Sequence, residues 1–107
     1  MYINEKQAAI LESLIRVSAN LMERPDRHFK IGKTSQELEK RFDSVYRKNY
    51  HHIIMIYSDP DSDFISELER TLIKYYKKYY PVLCNNVNEG ENESNEDSFN
   101  SVYMVIQ

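Results

Sequence analysis

The chain has one cysteine, no tryptophan, two glycines and three prolines among its 107 residues. A single thiol, Cys84, rules out an intrachain disulfide framework and suits a reducing compartment. No apolar run comes near the roughly 20 residues that a membrane-spanning helix needs. The opening residues, Met1-Tyr2-Ile3-Asn4-Glu5, lack the basic-then-apolar order of a secretory signal. The expectation is an intracellular protein with no membrane partner.

What is present suits one globular domain that can bury a core without staples. The net charge of −3 is unevenly placed. Residues 26–80 hold eleven Lys/Arg and nine Asp/Glu, whereas 81–107 hold five acids and no Lys or Arg. An acidic total therefore does not exclude a polyanionic partner.

Apolar periodicity and capping chemistry predict the order α–β–α–β–α–loop–β. Residues 4–23 read as an amphipathic helix capped by Asn4 and Gln7, with Ile10, Leu11, Leu14, Val17, Ala19, Leu21 and Met22 as its apolar positions. His28-Phe29-Lys30-Ile31 reads as a short strand ended by Gly32, where the backbone turns tightly or approaches another group. Thr34-Ser35-Gln36-Glu37 has the form of a capping box, followed by a helix over 35–47 with Leu38, Phe42 and Val45 on one stripe. His52 to Tyr57 is a continuous apolar run, read as a buried strand. After the turn Ser58-Asp59-Pro60-Asp61, a third helix spans 61–80 and turns Phe64, Leu68, Leu72, Tyr75, Tyr76 and Tyr79 inward. Residues 101–106 read as a last strand. The fold class expected is α+β, a small three-stranded antiparallel sheet flanked by about three helices. The layout is one domain over 1–107: an N-terminal helix (1–25), a core (26–84), a mobile acidic loop (85–98) and a C-terminal strand (99–107).

Two constellations are set aside. Gly32-Lys33-Thr34 looks like the end of a phosphate-binding P-loop, but that motif needs a glycine where Arg27 stands, so nucleoside triphosphate binding is excluded. His51, His52 and Cys84 lack zinc-ligand spacing, and adjacent strand histidines point to opposite faces, so structural or solvent-facing roles are expected.

A third constellation carries more. Phe29-Lys30-Ile31-Gly32-Lys33-Thr34 is followed by Lys40-Arg41-Phe42. Later come Glu69-Arg70-Thr71-Leu72 and then Asn85-Asn86. This series resembles the GIY-YIG nuclease superfamily, in particular its K-I-G-x-T branch, over about half the chain. The resemblance implies a compact domain that cuts DNA phosphodiester bonds with one divalent metal, Mg²⁺ or Mn²⁺. It implies that Arg41 contacts the scissile phosphate and that Glu69, an exposed helix carboxylate with Glu67 as fallback, binds the metal. It further implies that Asn86 or Asn85 supports the site and that Gly32 shapes it. Chemically, a fixed guanidinium and a hard cation held by oxygen are what a pentavalent phosphate requires.

The family's opening G-I-Y strand has no counterpart before His28. Ser101-Val102-Tyr103-Met104-Val105 resembles it from the other end of the chain. If that strand joins the sheet, the domain is circularly permuted and Tyr103 takes the place of the first tyrosine. Lys30 stands at the second.

Lys74-Tyr75-Tyr76-Lys77-Lys78-Tyr79-Tyr80 interleaves cations with aromatics, as nucleic-acid surfaces do. Lys33, Lys74, Lys77 and Lys78 are the expected nucleic-acid contacts. The function expected is a metal-dependent endonuclease acting on DNA. The alternative is a catalytically inactive relative, a nucleic-acid-binding or protein-interaction and inhibitor module of viral type.

Overall fold

The computed structural model describes residues 4–87 and 99–107. Positions 88–98 of the expected acidic loop lie outside the described residues. The fold is α+β, with three antiparallel strands and flanking helices.

Helix α1 (Glu5–Glu23) begins at the expected capping box: the Asn4 side chain accepts from the Gln7 amide at 2.8 Å, and Gln7 accepts from the Asn4 amide at 3.1 Å. Its buried line is Ala9, Ser13, Val17 and Leu21, one residue every four. Leu11 and Met22, expected to share that line, are exposed. Ser13 replaces them because its hydroxyl donates to the Ala9 carbonyl at 2.7 Å, so no polar group is left unsatisfied.

Strand β1 (Phe29–Thr34) does not stop at Gly32 but runs two residues beyond it. The expected capping box at Thr34–Glu37 is absent. Thr34 is the last strand residue, and its hydroxyl accepts from the Gln36 amide in a local turn. Helix α2 (Leu38–Arg41) starts later and passes into a π-turn at Phe42–Tyr46, where the Arg47 amide bonds the Phe42 carbonyl at 2.9 Å. That extra residue shifts the helical phase: Val45 faces solvent, and Tyr46 is buried in its stead.

Strand β2 spans His52–Ser58, helix α3 Ser62–Tyr79 and strand β3 Ser101–Ile106. The Asp61 side chain caps α3 by accepting from the Phe64 amide. The sheet order is β1-β3-β2, so the last strand lies in the middle and pairs antiparallel with both others.

This order explains the burial. Helices α1 and α3 cover one face, packing on Phe29, Ile31, Ile56, Val102, Met104 and Ile106. The α2 and π-turn segment covers the other, where Tyr46, Tyr103 and Val105 form a smaller core. Strand β3 is covered from both sides, and all six of its residues are buried. The apolar run of β2 was expected to be the buried strand; it is an edge strand in which only Ile56 is fully buried.

Candidate active site

The centre of the site is a close approach between two strands. Gly32 and Tyr103 are directly paired, so both face the α2 side of the sheet. A β-carbon on Gly32 would sit 2.3 Å from the Tyr103 hydroxyl oxygen, closer than any real contact. Glycine is therefore required here by the tyrosine lying across it. The Tyr103 hydroxyl is hydrogen-bonded to that of Tyr46 at 2.5 Å, and the Nε of Arg41 reaches it at 3.4 Å. Arg41 and Tyr46 come from α2 and the π-turn, Tyr103 from β3 and Gly32 from β1.

A second cluster approaches from α3. Lys33 Nζ donates to Ser66 Oγ at 3.0 Å and lies 3.8 Å from Glu69 Oε1. It also sits 4.5 Å from the centre of the Phe99 ring. Glu69 was expected to be an exposed carboxylate; it is 4% exposed, buried against this ammonium. The burial is possible because the pair forms an ion pair at the sheet edge.

The two clusters meet. A shallow cleft of about 10 Å³, room for roughly one water, is lined by Lys30, Gly32, Lys33, Arg41, Glu69 and Tyr103, with Ile31 and Tyr46 completing it. Consecutive β1 residues point to opposite faces, so the cleft wraps the outer edge of that strand.

Just before the cleft, the same edge is sealed. The Asn86 side chain accepts from the Ile31 amide at 2.9 Å and donates to the Ile31 carbonyl at 2.8 Å, which copies a strand pairing. Asn85 bonds His28 and Tyr50 through its side chain and Phe29 through its amide. Asn86 thus fixes the strand that carries Gly32 without lining the cleft. Glu67 is exposed and lies outside it, as do Lys74, Lys77 and Lys78.

Electrostatics set the protonation of the phenols. Burial pushes the Tyr103 hydroxyl above the usual phenol range, only partly offset by its hydrogen bonds to Tyr46 and Arg41 and by the Arg41 charge. Burial, then Tyr103 itself, also pushes the Tyr46 hydroxyl up. Both are neutral at pH 7, and each can donate or accept a hydrogen bond.

The side chains around the cleft offer a divalent cation few donors. Among the described residues, no three His, Cys, Asp or Glu side chains cluster. Glu69 offers one carboxylate at the cleft wall. Mg²⁺ typically binds through one or two carboxylates, with water and substrate phosphate oxygens filling the rest of its shell. A cation bound in that mode would use the single Glu69 carboxylate and would have to displace the Lys33 ammonium 3.8 Å from it.

Two participants were missed from sequence. Tyr46 lies four residues after Phe42 and eight after Leu38, so helical spacing already put it on their face, and Val45 was read there in its place. Ser66 had no visible role because its partner, Lys33, is 33 residues away. Compared with known proteins, the chain matches no family model, no curated protein and no solved structure. Among the described residues, no helix is long and apolar enough to cross a membrane.

Proposed function

We propose that the protein is a metal-dependent endonuclease of GIY-YIG type, circularly permuted, that hydrolyses DNA phosphodiester bonds in the cleft over Gly32. The observation that carries this reading is convergence. Gly32, Arg41, Glu69 and Tyr103 come from four different elements and line one cleft. The central place of β3 supports the permutation, because it puts Tyr103 beside the I-G-K-T strand from the far end of the chain.

In the proposed reaction a scissile phosphate lies against the mouth of the cleft. The Arg41 guanidinium binds its non-bridging oxygens and gains strength as charge develops on them. Lys30 and Lys33 add positive potential on either face of β1. The Tyr103 hydroxyl, held by Tyr46, orients the attacking water; as a neutral phenol it accepts a hydrogen bond and is not a standing base. Mg²⁺ or Mn²⁺ on Glu69 would supply charge neutralisation and a lowered pKa for coordinated water.

The second reading, an inactive nucleic-acid-binding or protein-interaction module, is favoured by one contact: the Lys33 ammonium already stands 3.8 Å from the carboxylate assigned to the metal. Incubating supercoiled plasmid with the protein and Mg²⁺ or Mn²⁺ decides between them. Nicked or linear product supports the endonuclease, and intact plasmid with retained DNA binding supports the module.

A further inference from the structure

Away from the cleft, the C-terminal half of α3 presents a surface with different chemistry. Tyr75 and Tyr79 were expected inside; they are 41% and 56% exposed, and only Tyr76 of that stretch is buried. The Tyr75 and Tyr79 rings lie with centroids 4.7 Å apart, tilted by 48°. Lys78 Nζ stands 5.4 Å from the Tyr79 centroid. Arg70, Lys74 and Lys78 follow at four-residue intervals and are all exposed, so they form one ridge beside the rings. Between Glu69 and Glu89 the chain carries four cations and no acid. Lys77 is not part of the ridge, because its ammonium donates to the Val87 carbonyl at 2.8 Å.

We propose that this face of α3 binds single-stranded nucleic acid, with bases stacked on Tyr75 and Tyr79 and backbone phosphates met by Arg70, Lys74 and Lys78. The ridge of cations complements a polyanion, and the exposed parts of the two rings, Tyr75 packed on Tyr76 at 4.9 Å, select among polyanions. A duplex keeps its base faces stacked and cannot offer them to a tyrosine. An acidic protein would engage the ridge and leave the rings idle. The two ring centroids lie 4.7 Å apart, a spacing that neighbouring bases of a single strand can meet. Aromatic platforms beside cations are the general means of holding single strands without sequence preference. The proposal does not depend on cutting in the cleft.

Fluorescence anisotropy with a labelled oligothymidine and an abasic oligonucleotide of equal length tests it, using the full chain in EDTA. The wild type should bind the oligothymidine more tightly. Combined Tyr75→Ala and Tyr79→Ala should weaken oligothymidine binding by at least ~5-fold and leave abasic binding unchanged. Tyr75→Leu with Tyr79→Leu, which keeps apolar bulk without a ring, should show the same loss. Lys74→Ala with Lys78→Ala should lower the slope of log affinity against log salt by about 1.4 for both oligonucleotides. Tyrosine variants that bind like wild type, or equal wild-type affinity for the two oligonucleotides, would overturn the proposal; the second result would assign the face to polyanions in general.

Discussion

Gly32 and Tyr103 are paired across β1 and β3 so closely that the glycine has no room for a β-carbon beneath the phenol. Gly32→Ala must therefore push a buried, hydrogen-bonded ring out of place. The expected cost is about 1–3 kcal/mol by urea denaturation, the usual range for overpacking. Adding Tyr103→Leu removes the ring that clashes, so the double variant should cost less than the sum of the two single ones. Additive costs would mean that the two residues are not in contact.

Lys33 and Glu69 form a buried pair, with side chains only 11% and 5% exposed. Lys33→Met removes the ammonium beside a buried carboxylate and should cost about 1–3 kcal/mol in denaturant. Lys33→Met combined with Glu69→Met replaces both charges with apolar volume and should recover most of that loss. A single variant as stable as wild type would show that the 3.8 Å ion pair adds no stability.

Alkaline pH should unfold the protein through its buried phenols. The Tyr76 hydroxyl is pushed up to about 12, chiefly by burial, from an unfolded value of 10.0. Its folded pKa is the higher one, so the stabilisation is complete below pH 10 and fades as pH rises through 12. Tyr76 also donates to the Leu14 carbonyl at 3.0 Å and bonds Ser18 at 2.8 Å. Tyr76→Phe should lower stability by about 1–2 kcal/mol at pH 7 and flatten the fall above pH 10 in a series of denaturation curves. An unchanged alkaline limb would assign the effect elsewhere.

In the proposed reaction Tyr46 would act through Tyr103. Tyr46→Phe removes the 2.5 Å partner of the Tyr103 hydroxyl and keeps the ring packing. Single-turnover cutting should slow by at least ~10-fold, with DNA affinity little changed. Loss of affinity in step with rate would instead make Tyr46 a binding residue.

The pattern of apolar runs and caps revealed all three strands and the α+β class, because each element buries its own apolar residues. The strand order was not legible in that pattern. His52–Tyr57 is as apolar as Ser101–Ile106, and only the helices that cover β3 on both faces decide which strand is central. Tyr46 was legible at i+4 from Phe42, but its hydroxyl partner, Tyr103, lies far along the chain. Gly32 was visible as a special position, but the reason for it, a phenol from residue 103, lies far along the chain. Glu69 was read as exposed because Lys33, which makes its burial tolerable, belongs to another element. Lys30, Arg41 and Glu69 could be named as candidates from their order, but that they share a cleft depends on the central place of β3 and on the packing of α2 and α3.

The central claim is that the cleft hydrolyses phosphodiester bonds with a metal held by Glu69. Single-turnover cleavage of end-labelled duplex DNA in Mn²⁺ tests it most directly, comparing wild type with Glu69→Gln, which keeps the side-chain shape beside Lys33. DNA binding is measured in parallel. The account predicts metal-dependent cutting by the wild type and a rate lowered by at least ~100-fold in Glu69→Gln at similar DNA affinity. Equal rates for the two proteins, or no cutting by a wild type that binds DNA, would contradict it.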